Sequence, residues 1–359
     1  MKRTYVVAEA GVNHNGSEEL AFQLIDAAYE AGADVVKFQT FKASKLVTKD
    51  AVQADYQKVN TNKTESQLAM LSRLELSYET HHKLIEYCNQ KGIEFLSTAF
   101  DSESLDFLVN DLMLPRLKIP SGEITNAPLV LQHAKTGCDL IVSTGMASLS
   151  EIERVLGVIA FGYTAPNDIE PSLEAFEAAY YSYEGQEILR KKVILLHCTT
   201  EYPAPFDEIN LKAMDTLHNA FNLQVGYSDH SKGISVPIAA VARGATIVEK
   251  HFTLDKNMEG PDHKASLDPM ELKQMVTAIR EIEQALGNGL KGPTPSEIKN
   301  KRVARKSLVA NGTIKIGEVF TSENIDVKRP GTGMSPENYW NVLGRAAKRN
   351  YSDGEAIIE

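Results

Sequence analysis

Cysteine is scarce in this sequence, with three residues in 359. Their number is odd, and their spacing is neither that of a zinc site nor that of a redox dithiol. Both features argue against the disulfide framework of a small secreted protein. We expect Cys88, Cys138 and Cys198 to be free thiols in a cytoplasmic protein, buried as small apolar groups.

Long apolar runs and an excess of positive charge are missing as well. No apolar segment approaches the ~20 residues of a membrane span, and Met1-Lys2-Arg3 leads into a strand-like run without a signal-peptide core. With 48 acidic and 38 basic side chains the net charge is −10. This balance argues against nucleic acid or an anionic membrane as the main partner. An anionic substrate would need a locally positive pocket.

The chain does contain a regular alternation of short apolar strands and amphipathic helices. In the first unit, a strand from Thr4 to Ala8 is followed by a helix that Ser17 caps and Gly32 ends. Eight such strands alternate with helices before Leu286. The pattern predicts an α/β fold, a parallel (β/α)8 TIM barrel, with an open doubly wound sheet as the alternative.

Composition also predicts the domain boundaries. Residues 1–286 are the predicted TIM-barrel catalytic domain, 287–300 a Gly- and Pro-rich linker, and 301–359 a small β-rich domain. A domain of about 60 residues is marginal alone, so it should lean on the barrel or on another subunit. Residues 41–73 follow a strand end, where active-site lids lie. Residues 161–192 should lie at the bottom of the barrel, as a structural or interface element.

Polar or ionisable side chains follow every predicted strand. In a barrel these strand ends converge on one mouth, where catalytic sites lie. In chain order they carry Glu9, Lys37 with Gln39, Thr98, Lys118 with Ser121, Ser143, Thr200 with Tyr202, Ser228 with His230, and Glu249 with His251. Such ends are common in α/β proteins, but eight of them favour one shared site.

His230 and His251 are candidate metal ligands, because they stand at the ends of neighbouring strands. Two imidazoles in this arrangement can share a divalent ion and leave coordination positions open for substrate oxygens. The alternative is a pair of unrelated histidines whose hydrogen bonds are satisfied by the protein. The polar ends of the other strands favour the metal site.

Several segments, in order along almost the whole chain, resemble the sialic acid (nonulosonic acid) synthases. They are Ala8–Gly16, Lys37–Thr40, Lys118–Glu123, Ser143–Met146, Glu201–Pro203, Ser228–His230, Glu249–Thr253 and Gly260–His263. The C-terminal residues Lys328-Arg329-Pro330-Gly331 resemble that family's antifreeze-like (SAF) domain. The resemblance implies condensation of phosphoenolpyruvate with an N-acylated mannosamine-type sugar, giving a nine-carbon 2-keto acid and phosphate.

The resemblance also implies a cofactor and a partner. The cofactor is a divalent metal, Mn²⁺, Mg²⁺ or Co²⁺, held by His230 and His251. The partner is a second copy of the chain, in a domain-swapped homodimer whose antifreeze-like domain closes the barrel mouth of the other subunit. Bound metal would act as a Lewis acid on the sugar aldehyde.

Phosphoenolpyruvate carries up to three negative charges, which predicts Lys37 and Lys118 as its cations. The hydroxyl donors to its oxygens are Thr98, Ser121, Ser143 and Ser228, and by resemblance Thr200, where some family members carry asparagine. By resemblance the sugar contacts Gln39, Asn62, Tyr202 and, from the partner subunit, Arg329. The catalytic carboxylates are Glu9, Glu249 and Asp262, of which one is the general base for the attacking water.

Three questions stay open at this level. The product is N-acetylneuraminate or legionaminate, with Ile119–Asn126 and Thr199–Pro205 slightly favouring legionaminate. One rival is another phosphoenolpyruvate-dependent aldol-type synthase acting on a phosphorylated aldose, which would need extra basic residues. The other is a non-catalytic barrel, against which the complete set of strand-end groups argues.

Overall fold

The computed structural model describes residues 3–61, 64–166 and 168–358, apart from the side chains of Tyr56 and Val59. Internal contacts divide the chain into two compact units, Met1–Gly287 and Asn288–Glu359. Among the described residues, no helix is long and apolar enough to cross a membrane.

The first unit is a closed barrel of eight parallel strands in sequence order. The strands are β1 (Tyr5–Gly11), β2 (Val35–Thr40), β3 (Glu94–Ala99), β4 (Arg116–Ile119), β5 (Asp139–Ser143), β6 (Val193–His197), β7 (Gln224–Asp229) and β8 (Ile247–His251). The ring closes because β1 pairs with both β2 and β8. The predicted TIM barrel is therefore confirmed, and the open sheet is excluded.

Helices surround the barrel. They are α1 (Glu18–Ala31), α2 (Ala43–Leu46), α3 (Asp55–Thr61), α4 (Gln67–Ser72), α5 (Tyr78–Lys91), α6 (Ser102–Asp106), α7 (Ala127–Lys135), α8 (Leu149–Thr164), α9 (Leu173–Tyr181), α10 (Tyr183–Lys192), α11 (Ala213–Phe221), α12 (Ser235–Ala242) and α13 (Pro269–Ala285). Ser17 caps α1 through the Leu20 N–H, and Gly32 ends it in the left-handed conformation, as the sequence predicts.

Alternating side chains of the strands build two apolar layers. Inward-facing residues fill the barrel below the mouth, namely Val7, Val35, Leu96, Ile141, Leu196 and Ile247. Outward-facing residues join the larger core beneath the helices. Because apolar side chains fill the interior below, polar groups at the strand ends are confined to one open end.

The predicted lid, residues 41–73, contains three short helices in its described part, α2, α3 and α4. Each has fewer than two full turns, too few for an apolar period to show in the sequence. Val12, Phe41, Met70 and Leu74 form a separate apolar cluster that attaches this segment to the barrel.

The segment 161–192 is not confined to the bottom of the barrel, and that prediction is wrong for α9. This helix returns along α8, where Gly157 permits the close approach of the Phe176 backbone. The Tyr181 hydroxyl donates to the Glu153 carboxylate at 2.6 Å, in the first half of α8. Packing against α8 therefore decides where the segment lies, and no local pattern in the sequence shows it.

The second unit contains α14 (Pro295–Ala304), β9 (Ser307–Ala310), β10 (Ile325–Lys328) and α15 (Tyr339–Val342). The two strands are antiparallel. Its core includes Leu308, Phe320 and Tyr351. The predicted linker 287–300 is partly helical, because Thr294 and Glu297 form a capping box at the start of α14.

Candidate active site

A cavity of about 390 Å³ opens at the carboxyl ends of the barrel strands. Fourteen of the predicted site residues line it: Glu9, Lys37, Gln39, Thr98, Lys118, Ser121, Ser143, Thr200, Tyr202, Ser228, His230, Glu249, His251 and Asp262. Asn62 lies outside the described residues. Arg329 is exposed and belongs to the second unit, just after β10.

Two buried lysines and two buried carboxylates form the centre of this mouth cavity. The ammonium of Lys37 lies 2.6 Å from the Glu9 carboxylate and donates to the Thr98 hydroxyl at 3.1 Å. The ammonium of Lys118 donates to both carboxylate oxygens of Glu249, each at 2.9 Å. A third ion pair of 3.5 Å joins Lys37 to Glu249. When Glu9 is ionised, the two positive charges of the cluster are matched by two negative charges.

The pKa values of the two carboxylates in the cluster are shifted in opposite directions. Burial, helped by the neighbouring Glu249 and opposed by Lys37, raises the pKa of Glu9 to about 7. Burial also acts to raise the pKa of Glu249, but Lys118 and Lys37 outweigh it and hold that pKa below its ordinary value. Glu249 is therefore a fixed anion, whereas Glu9 is able to exchange a proton near neutral pH.

Glu9 faces the cavity because side chains alternate along β1, two residues after the inward-facing Val7, and a bulge follows it. The register between β1 and β2 shifts between Glu9 and Gly11. Gly11 has a φ of +54°, and a Cβ there would meet the side chains of Glu9 and His251 at 3.3 Å. Both the left-handed backbone conformation and the closeness of these side chains therefore favour glycine at this position.

His230 and His251 lie side by side with ring centroids 5.7 Å apart. The Nδ1 of His230 donates to the Thr199 carbonyl at 2.6 Å, which leaves its Nε2 lone pair available. The Nδ1 of His251 is buried and has no hydrogen-bond partner among the described residues. Burial lowers the pKa of both rings, that of His230 to about 4, so both are neutral, the form that binds metals.

These two histidines are the candidate metal ligands, and no larger ligand set accompanies them. In the described part of the chain there is no group of three or more His, Cys, Asp or Glu side chains arranged to hold a metal. An ion here would need oxygen ligands from substrate or water to complete its coordination. The Tyr202 ring flanks the pair, with its centroid 4.1 Å from that of His230.

Asp262 and Thr200 also line the cavity, each with a polar group available to a ligand. Burial raises the pKa of Asp262 to about 6, and no charged neighbour contributes to that shift. The loop that carries Asp262 contacts the lid, because the Asn60 amide donates to the Pro261 carbonyl at 2.7 Å. The buried Thr200 hydroxyl has no hydrogen-bond partner among the described residues, so it is available to a ligand.

One side of the cavity is apolar, and sequence reasoning did not predict it. Its residues come from the lid and its surroundings: Val12, Phe41, Leu46, Val47, Met70, Leu71, Leu74 and Phe100. Gln57 and Gln67 are the polar lid residues that join them. In the sequence these apolar residues cannot be told from ordinary core residues. Cys198 was also missed as a lining residue, with its sulfur 3.2 Å from the Ser121 hydroxyl.

Comparisons with known proteins agree with this architecture. The NeuB family model matches residues 24–291, and the SAF domain model matches residues 305–357. These matches define the class of protein: a barrel with a polar mouth, followed by an SAF domain. Because the first match covers more than half of the chain, the chain belongs to the NeuB family.

Two relatives are similar over nearly their whole length. The N,N'-diacetyllegionaminic acid synthase of Campylobacter jejuni is 50% identical to this chain, and the match covers 100% of both proteins. The enzyme of the same name from Legionella pneumophila is 45% identical, with 99% of this chain and 93% of that protein covered.

Among solved structures, the N-acetylneuraminic acid (sialic acid) synthetase of Leptospira borgpetersenii, in complex with citrate, is 32% identical, with a TM-score of 0.68. The match covers 83% of this chain and 90% of that one. A truncated 3-deoxy-D-arabino-heptulosonate 7-phosphate synthase from Thermotoga maritima has a TM-score of 0.54 at 16% identity, covering 80% of this chain and 88% of that one. The latter likeness shows the shared barrel fold alone.

Proposed function

We propose that this protein condenses phosphoenolpyruvate with 2,4-diacetamido-2,4,6-trideoxymannose, giving N,N'-diacetyllegionaminate and inorganic phosphate. The observation that carries the reaction class is the pairing of a buried two-lysine cluster with two neutral histidines in one cavity. The relatives named as N,N'-diacetyllegionaminic acid synthases support the choice of sugar.

Phosphoenolpyruvate would occupy the charged side of the cavity. The side chains of Lys37 and Lys118 are only 4% and 2% exposed, so each would form a strong ion pair with an anion that reaches it. Glu9 and Glu249 now hold these ammonium groups, and the substrate oxygens would take over part of that role. Hydroxyl donors around them complete the binding: Thr98, Ser121, Ser143, Thr200 and Ser228.

The sugar would occupy the space between the histidines and the apolar side. A 6-hydroxyl placed against Leu46, Val47 and Leu71 would lack partners, at a cost of about 1–3 kcal/mol. A 6-methyl group would gain from the same contact. The amides of Gln57 and Gln67 suit the N–H and C=O of an acetamido group. The cavity thus supports a 6-deoxy, 4-acylamino sugar over N-acetylmannosamine.

A divalent ion, Mn²⁺, Mg²⁺ or Co²⁺, would be held by His230 and His251. The neutral rings, the free lone pair of His230 and the unpartnered Nδ1 of His251 fit such an ion. When bound, it would polarise the aldehyde oxygen of the open-chain sugar.

The reaction forms one carbon–carbon bond and one carbon–oxygen bond to water, and it breaks the carbon–oxygen bond to phosphate. The aldehyde oxygen gains a proton and the attacking water loses its own. The methylene carbon of phosphoenolpyruvate attacks the sugar aldehyde carbon, and water adds to the carbon that bears phosphate. The tetrahedral intermediate then expels phosphate and becomes the 2-keto acid. Glu9 and Asp262 are suited to accept the proton of water, because burial raises both pKa values toward neutrality. Glu249 is held by both lysines and therefore positions them.

The assembly proposed for this reaction is a cytoplasmic homodimer. The family resemblance supports a role for Arg329 of the partner subunit at the N-acyl group of the sugar. Mixing R329A with K118M tests this, because a mixed dimer would regain one site with both residues intact. Recovery of activity on mixing is the expected result, whereas no recovery would place Arg329 in its own subunit's site or outside any site.

The decisive measurement is phosphate release from phosphoenolpyruvate with Mn²⁺ and each of three sugars. We expect the highest kcat/KM with 2,4-diacetamido-2,4,6-trideoxymannose. A preference for N-acetylmannosamine would make the protein an N-acetylneuraminate synthase. Activity on a phosphorylated aldose alone would overturn the proposal, and a folded, metal-loaded protein inactive with all three would favour a non-catalytic barrel.

A further inference from the structure

Outside the cavity, another buried ion pair joins β7 and β8, the strands at whose ends the two histidines lie. The ammonium of Lys250 lies 2.6 Å from the Asp229 carboxylate, and both side chains have 0% exposed surface. They precede His251 and His230 in the sequence. Because side chains alternate along a strand, Lys250 and Asp229 face away from the mouth, toward the surrounding helices. The proposed reaction uses neither of them.

This ion pair holds the backbone on both sides of His230. The Asp229 carboxylate accepts hydrogen bonds from the backbone N–H of Ser231 at 3.0 Å and from its hydroxyl at 3.1 Å. The ammonium of Lys250 also donates to the Ser231 carbonyl. The two residues that flank His230 are therefore both bonded to a side chain of β8, the strand that ends at His251.

The position of the pair explains why side chains are needed there. Asp229 and Lys250 are the last residues that pair in the β7–β8 ladder. Beyond them, His230 is held by its own contacts, including the bond from the Ala204 N–H to its carbonyl at 2.9 Å. The pair thus extends the connection between the strands past the end of the backbone ladder.

A fully buried ion pair is a weak source of folding stability, because desolvation offsets most of the attraction. Its directional bonds, however, restrict geometry in a way that an apolar pair does not. We infer that Asp229 and Lys250 are positioning residues that set the separation and orientation of the His230 and His251 rings for a shared divalent ion. This inference rests on the proposed function, because it requires the metal site.

The test is a titration of the metal-free protein with Mn²⁺, followed by calorimetry. The double variant D229N/K250M removes both charges and leaves no lone buried ion, so its unfolding midpoint in urea should stay near that of the wild type. Its Kd for Mn²⁺ should rise about tenfold or more, as for other groups that orient metal ligands. Activity at saturating Mn²⁺ should recover in part.

The matched control is D34N/R280M, which removes the 2.6 Å ion pair between Arg280 and Asp34, at the opposite end of the barrel. Its Kd for Mn²⁺ should not change. If D229N/K250M fails to fold, S231A keeps the ion pair, removes the hydroxyl that donates to the Asp229 carboxylate, and should weaken Mn²⁺ binding at least about threefold.

The outcomes separate the two proposals. A wild-type protein that binds Mn²⁺ and a folded variant with an unchanged Kd would overturn the positioning role and leave the metal site standing. A wild-type protein that does not bind Mn²⁺ would overturn the metal site itself and this inference with it. A selective rise in the Kd of D229N/K250M, with D34N/R280M unaffected, would support both.

Discussion

The two sides of the mouth cavity are built by different parts of the chain. The charged side comes from barrel strands, with Lys37 on β2 and Lys118 on β4. The apolar side comes largely from short lid helices and their connections, with Val47 and Leu71 among its residues. Strand residues are fixed by the register of a closed sheet, whereas the lid depends on a small apolar cluster. Under the proposed function, the strand side would carry the chemistry and the lid side the choice of sugar.

Substitutions on the charged side should have the largest effect. K118M removes one of the two cations proposed to bind phosphoenolpyruvate and leaves Glu249 with a weaker counter-charge. We expect kcat/KM to fall about 1000-fold with every sugar, because a preorganised charge in a dry site is lost. Steady-state phosphate release measures this. K135M, at an exposed position, is the control, and equal activities of K118M and K135M would contradict the assignment of the charged side.

His230 and His251, the candidate metal ligands, line the same cavity. H251A should abolish turnover and weaken Mn²⁺ binding while the far-UV circular dichroism spectrum stays that of the wild type. The reason is that one of the two candidate ligands is lost while the barrel core is untouched. H82A changes an exposed histidine and should behave as the wild type. Full activity of H251A after metal removal would disprove the metal site.

A change on the apolar side should alter selectivity more than rate. L71N places an amide against the space assigned to the 6-methyl group. We expect kcat/KM for the trideoxy sugar to fall about tenfold, with a smaller change for N-acetylmannosamine. L68N, on the same helix but not lining the cavity, is the control. Equal losses for both sugars would mean that the lid acts only as a cover.

The smallest effect on catalysis is expected from a substitution in α7, one of the helices that surround the barrel. His133 lies buried on α7, and burial lowers its pKa to about 4. As the pH falls below 6.5, the unfolded chain gains a proton that the folded protein does not, so the free energy of unfolding decreases until about pH 4. H133Q should lack this contribution, about 2 kcal/mol at pH 5. Urea unfolding of both proteins at pH 7 and pH 5 gives the difference, and parallel losses would contradict it.

Much of the site was predictable because its signals are local. A strand of apolar residues that ends in a polar one can be recognised without knowing its neighbours, and parallel strands in a barrel must end at the same mouth. The positions of Glu9, Lys37, Lys118, His230 and His251 followed from this rule. The roles of the carboxylates did not, because pKa values depend on burial and on charges distant in the sequence.

By itself, the sequence determined the strand–helix alternation, the barrel and the polar residues at its mouth, because each depends on a few adjacent residues. Only the tertiary structure decided which charges meet. Lys118 and Glu249 are 131 positions apart and become partners through closure of the barrel. The apolar side of the cavity and the buried Asp229–Lys250 pair also arise from packing between separate elements. Contacts between residues so far apart leave no periodic pattern in the sequence. Only the packing of the folded chain specifies which of these residues meet.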